Sequence, residues 1–272
     1  MSFTYVRSAS HYAGGASTSV TVTMTIPSGA VIGFCGWGQP ESTAAAGAGS
    51  VVDNNSVSYS LAPNNLNIAG CVAVAFYSIN SAAATSLTWT PPTATGGYYN
   101  IYAAAWVFTP SAGTVTNSGG NCNQISSDST TANAVTTGNM TITSADAMIC
   151  GLAVLEAGPG DLSAGTVPSM TADGTINSNY GYFEHAAISS GSASPATWTD
   201  SVGGHEVNLA GIAFSLSTAA AIPPLLPLLG VGVATAPLAW VIRRRQQRAR
   251  ELRRWKRDNT SGLILPDYKR TA

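Results

Sequence analysis

Charge is what this chain has least of. Asp, Glu, Lys and Arg make up 9% of its 272 residues, against roughly 25% in an average soluble domain. A long charged coiled coil is excluded, and so is disorder driven by net charge, because 45% of the residues are apolar. The local signatures of common chemistry are missing too: no GxSxG elbow, P-loop, HExxH or dinucleotide fingerprint occurs. The four cysteines, Cys35, Cys71, Cys122 and Cys150, show no CxxC pair and no zinc-ligand spacing. No catalytic residue, metal centre or cofactor is expected on these grounds. Up to residue 217 no segment keeps a 3.6-residue apolar period, so helices are not expected there.

The little charge present is divided unevenly. Arg7 is the one basic residue before Arg243, against ten acids in that stretch; residues 243–272 then hold eleven basic residues and three acids. The net charge of −1 therefore describes neither part of the chain.

What fills the first 217 residues is strand after strand. TSVTVTMTI (18–26) alternates β-branched and small polar residues with period two, as a half-buried strand does. Further runs fall at 30–37, 56–61, 70–79, 86–90 and 98–108, then at 134–143, 147–156, 180–189, 196–199 and 207–216. Pro91-Pro92, Gly96-Gly97, Gly119-Gly120 and Gly203-Gly204 lie between them, where turns belong.

Two stretches look alike. VTMTIPSGAVIGFCG (22–36) aligns with GNMTITSADAMICG (138–151), placing Cys35 opposite Cys150. AFYSINSAAATSLTWT (75–90) resembles YFEHAAISSGSASPATWT (182–199), and each is followed by a Gly-containing turn and a long apolar strand. An internal duplication of roughly 85 residues accounts for this. The fold class expected is all-β: an antiparallel two-sheet sandwich, jelly-roll-like, in which two halves of four or five strands pack face to face.

The order of a TxTI strand, then YFEHAAISSGSASPATWTDS, then a closing LAGIAFSL resembles β-sandwich domains of phage and prophage virion surface proteins. The resemblance spans about residues 18–217 and is one of pattern. It implies a display or attachment role and transfers no active site.

Residues 222–242 (IPPLLPLLGVGVATAPLAWVI) carry no charge and have the length of a membrane-spanning helix. Ten are Leu, Ile or Val, so insertion gains roughly 3–6 kcal/mol. The predicted anchor comprises Pro224, Leu225, Leu226, Leu228, Leu229, Val231, Val233, Leu238, Trp240, Val241 and Ile242. Pro224 suits the entry turn, and Trp240 falls where an interfacial aromatic is expected. A helix buried within an oligomer is the alternative. Nine basic residues follow: Arg243, Arg244, Arg245, Arg248, Arg250, Arg253, Arg254, Lys256 and Arg257. The positive-inside rule keeps them cytoplasmic. Their partner is anionic lipid or, as the rival, packaged nucleic acid. The opening MSFTYVRSASHYAGG has no apolar core of a signal peptide. A virion protein assembled inside its host, with the apolar segment in a viral membrane or among neighbouring virion proteins, reconciles these signals. The alternative is a bacterial cell-surface adhesin or carbohydrate-binding module, single-pass with a cytoplasmic C-terminus.

Remaining candidates are sparse. Glu184, His185, Asp200, His205 and Glu206 would have to converge in a cleft for hydrolase or metal chemistry. Neighbours in a strand point to opposite faces, so at most one of Glu184 and His185 joins a common site. Cys35, Cys71 and Cys150 fall in apolar strands as buried thiols, whereas Cys122, in the polar stretch GGNCNQ, is the one placed to pair or stay exposed. Tyr12, Tyr98, Tyr99, Tyr180 and Tyr182, with Trp37, are candidates for a sugar-stacking surface on a host glycan, or for core and rim packing. The neutral, Ser/Thr-rich composition suits close packing of many copies, so a homo-oligomer or multicopy assembly is expected.

Overall fold

A computed structural model of the chain describes residues 2–217, apart from 69, 127–132, 145, 156–161, 190–192 and 202–205. The predicted anchor and basic tail lie outside the described residues. Two repeating halves make up what is described. The first contains β1 (Phe3–Ser17), β2 (Val20–Ile26), β3 (Val31–Pro40), β4 (Ser50–Asp53), β5 (Ser60–Leu61), β6 (Leu66–Ile68), β7 (Cys71–Ser78), β8 (Ala84–Thr90) and β9 (Tyr98–Pro110). The second contains β10 (Thr114–Ser126), β11 (Asn133–Thr136), β12 (Met140–Thr141), β13 (Asp146–Leu155), β14 (Leu162–Ala164), β15 (Thr171–Ile176), β16 (Gly181–Ile188), β17 (Ala193–Ser194), β18 (Thr197–Asp200) and β19 (Glu206–Ser217).

The halves are wound alike. A six-stranded antiparallel sheet runs β1-β9-β3-β7-β5 with β6 also on β7, and its counterpart is the five-stranded β10-β19-β13-β16-β15. Each large sheet has a small companion, β2-β8-β4 in the first half and β11-β18-β14 in the second; β12 pairs with β17 beside the latter. Early strands of each half alternate between its large and small sheet, which is jelly-roll winding.

Burial explains the stacking. Strand β2 reads VTVTMTI with every second residue buried, so one face meets a core and the Thr face meets water. Strands β3, β9, β13 and β19 are instead buried along nearly their whole length. A strand apolar on both faces needs a cover on each side, because every aliphatic side chain left in water forfeits roughly 1.5–3 kcal/mol. The two large sheets therefore pack against each other and each also carries its small sheet outside, giving four layers and three cores. The central core joins Val31, Cys35, Trp37, Tyr102, Trp106 and Phe108 of the first half to Met148, Cys150, Leu152, Ile212, Phe214 and Leu216 of the second. One outer core holds Ile32, Phe34, Leu87 and Trp89; the other holds Ile149, Leu155, Trp198 and Leu209.

Register makes the duplication concrete. Gly36 pairs with Ala103 and Val74, while Gly151 pairs with Gly211 and Glu184. Over each of these two glycines lies an indole from the small sheet. A Cβ on Gly36 would stand 2.7 Å from the Trp89 ring, and one on Gly151 would stand 2.6 Å from Trp198 and from the Ala196 methyl. The same glycine-under-tryptophan contact thus closes the outer core of each half.

Three expectations need correction. Cys122 is neither exposed nor in a disulfide: it lies buried in β10 facing the central core, and all four cysteines are buried thiols with no disulfide among them. Gly119-Gly120 is not a turn but part of β10, where a bulge between Asn117 and Gly119 lets the strand continue. The expected strand at 134–143 is interrupted: β11 ends at Thr136, and β12 (Met140–Thr141) pairs with β17 in a separate sheet.

Candidate functional site

Where the first large sheet meets the ends of β13 and β15, the layers leave a cleft of about 250 Å³. Three adjacent strands build its floor. Tyr12 on β1, Tyr102 on β9 and Trp37 on β3 stand in one rung, and the next rung brings Asn100 opposite Gln39. Leu155 at the end of β13 and the turn between β15 and β16, with Asn177 and Tyr180, complete the wall. Backbone pairing holds that turn in place: the Leu155 N–H donates to the Tyr180 carbonyl at 2.8 Å.

A chain of hydrogen bonds orders the polar side chains. The Tyr12 hydroxyl donates to Asn100 Oδ1 at 2.7 Å, and Asn100 Nδ2 donates to Gln39 Oε1 at 2.9 Å. From the opposite wall Asn177 Nδ2 donates to the Tyr102 hydroxyl oxygen at 3.0 Å. Trp37 and Tyr102 are 2% and 3% exposed and form the base, with ring centroids 5.6 Å apart. Tyr12 and Tyr180 are half-buried at the rim and Asn177 is exposed. Burial raises the Tyr102 hydroxyl above its usual pKa, so it stays a neutral donor at physiological pH. No Asp, Glu, Lys, Arg or His is among the described residues that line the cleft.

The turn is strained. Asn177, Ser178 and Asn179 take φ of 49°, 55° and 75°, three left-handed residues in succession and none of them glycine. Non-glycine residues held there cost of order 1–3 kcal/mol each and persist where surrounding structure holds them. Here the β15–β16 ladder, the Leu155 pairing and the Asn177 bond to Tyr102 do so.

The sequence candidates are dispersed. Of six proposed sugar-stacking aromatics, Trp37, Tyr12 and Tyr180 converge on the cleft. Tyr98 is instead buried with its hydroxyl donating to the Pro92 carbonyl at 2.8 Å, Tyr99 is exposed elsewhere, and Tyr182 packs against the second half's outer core. Tyr102, Gln39, Asn100 and Asn177 were not singled out; only adjacency across strands reveals them. Glu184 and His185 face opposite sides of β16, as alternation requires. Glu184 is fully buried toward the outer core, accepting a long bond from the Gly165 N–H at 3.4 Å, and burial raises its pKa to about 9. His185 faces the central layer. Its Nδ1 lies 2.8 Å from Asp173 Oδ2, which also accepts from Trp106 Nε1 at 2.7 Å, and Tyr5 stacks on the imidazole at 4.2 Å. These contacts tie β1 and β9 of the first half to β15 and β16 of the second. Asp200 is buried at the end of β18, Glu206 bonds to Gln124, and His205 lies outside the described residues. No group of three or more metal-ligating side chains occurs among the described residues, nor does any helix long and apolar enough to cross a membrane. No protein-family model matches the chain, and no curated protein is significantly similar to it.

Proposed function

We propose that this chain is a non-enzymatic structural and attachment protein of a phage-like particle. On this reading it displays the β stack and is held by its C-terminal apolar segment. The observation that carries the reading is the cleft: amides and aromatic rings fixed on rigid strands are groups for recognition, and none of them is a nucleophile or a poised acid–base pair. The jelly-roll winding supports it, as does the low density of charged side chains, which leaves few to be desolvated where copies meet. Residues 222–242 supply the hydrophobic attachment, in lipid or among neighbouring virion proteins, and the arginine run that follows adds contact with anionic lipid or packaged nucleic acid.

The test is partition of the full chain against a form ending at Ser217. Recovery of the full chain with membranes or particles, and of the shortened form as a soluble folded protein, is the expected result. A full chain that stays soluble as a defined oligomer overturns the membrane part and makes the apolar segment an assembly element. The same cleft favours a second reading, a bacterial surface adhesin or carbohydrate-binding module with a membrane anchor. Recovery with the cell envelope in the absence of any particle separates it from the first.

A further inference from the structure

We infer that the cleft at Trp37, Tyr102 and Asn177 binds one pyranose ring of an uncharged glycan. This assignment rests on the attachment reading of the domain and gives it a ligand.

Three observations converge. First, the lining matches the two-sided chemistry of a sugar. A pyranose presents a C–H face that packs on an aromatic ring through dispersion, and an edge of neighbouring hydroxyls that each donate and accept. Tyr12 and Tyr180 stand half-buried at the rim beside the buried base of Trp37 and Tyr102. Beyond the bonds described above, Asn100 and Asn177 each keep one amide donor, and Asn177 its acceptor oxygen, to meet adjacent hydroxyls. A phosphate, sulfate or carboxylate ligand would call for Arg or Lys, and a cation for carboxylates; the described residues of the lining include neither. At about 250 Å³ the space lies below the roughly 300–1,000 Å³ of pockets for drug-sized ligands, so it suits one ring.

Second, the molecule contains its own control. The rung Tyr12–Tyr102–Trp37 corresponds, through the matching registers, to Cys122–Ala210–Leu152 in the second half, and Gln39 corresponds to Val154. All four of those residues are buried in the central core. The same topology therefore closes with small and aliphatic side chains when nothing has to be bound. Asn100 keeps its type in the second half as the buried Asn208, so the departure lies in Tyr12, Tyr102, Trp37 and Gln39.

Third, the turn that places Asn177 holds three consecutive left-handed non-glycine residues. Asn tolerates that conformation, and the Asn177 amide bonded to Tyr102 fixes the turn as one wall of the cleft.

The test uses the full chain in a non-glycosidic detergent, because sugar-headed detergents would compete. Trp37 lies in the cleft, so tryptophan fluorescence reads titrations with methyl glucoside, galactoside, mannoside and N-acetylglucosaminide, and with glucuronic and sialic acids. A parallel array presents neutral and acidic oligosaccharides. The expected result is saturable binding of at least one neutral pyranoside, with Kd on the order of a millimolar for a single ring. Asn177→Ala and Gln39→Ala weaken it fivefold or more with the thermal melt retained, and Tyr99→Ala, exposed and outside the cleft, leaves it unchanged. Absence of neutral binding in both formats overturns the assignment. So does binding that survives both cleft substitutions, or a preference for the acidic sugars. The partition experiment is read separately: a chain recovered with particles that binds no sugar loses the ligand and keeps the display role. Sugar binding by a chain recovered with neither membranes nor particles does the reverse.

Discussion

Glu184 is the residue least at home in this fold. It occupies, by register, the position that Val74 fills in the first half, and it is buried where that valine is buried. Loss of hydration raises its pKa from 4.5 to about 9, with the negative charge of Asp173 adding to the effect. Between those two values the folded chain holds a proton that the unfolded chain has released. The unfolded state then binds fewer protons, so stability from this group falls as pH rises across the window and is gone above about pH 9. Glu184→Gln keeps the shape of the protonated acid without its proton. Melting curves at pH 5, 7 and 9 should show a smaller decline for the variant than for the parent, with a higher Tm at pH 9. Each ~1 kcal/mol recovered is worth about 2–4 °C in a chain of this size. Equal slopes in the two proteins would mean that Glu184 is hydrated in solution. The paired glycines give a second test. Gly36→Ala and Gly151→Ala each push a methyl into a packed indole, and overpacking of that kind costs typically 1–3 kcal/mol. Similar losses in denaturant titrations of both variants are expected, since the contact is the same in both halves.

At the scale of the element, the β15–β16 turn is where conformation and recognition meet. Ser178→Gly removes a left-handed penalty of about 1 kcal/mol and leaves the Asn177 bond to Tyr102 in place, so it should raise Tm without weakening ligand binding. A loss of binding would show that the strain itself shapes the cleft. The strands also show what a sequence can and cannot disclose. Long central strands such as β3, β9, β13 and β19 are legible because both faces are apolar, and β2 because its alternation is clean. Those that escaped notice, among them β1, β4, β10, β14 and β15, all lie at sheet edges. An edge strand has a ladder on one side only and needs little apolar content, so FTYVRSASHYAGGAS reads as polar punctuation although it pairs with β9 along nearly its whole length. The cleft suffered for the same reason. Trp37, Tyr12 and Tyr180 could be suspected from their residue type, whereas Asn100 and Gln39 become neighbours only through a register that no local pattern encodes.

For the molecule as a whole, the governing feature is a central core shared between the halves. Cut apart, each half would keep its small sheet but expose the opposite face of its large one, so neither is expected to persist alone as a monomer. All four cysteines lie in that shared core and none in the outer two. Burial holds the Cys35 and Cys150 thiols well above their ordinary pKa and brings Cys122 up to about 12, which keeps them unreactive while the layers are closed. The thiols are thus a ready-made clock for one event, the parting of the two jelly rolls. Pulsed alkylation through a denaturant series should modify the four cysteines together, at the concentration where the halves separate. Fraying of an outer sheet should leave no mark on that signal. A chain labelled at one cysteine well before the rest would have a seam that opens from one end.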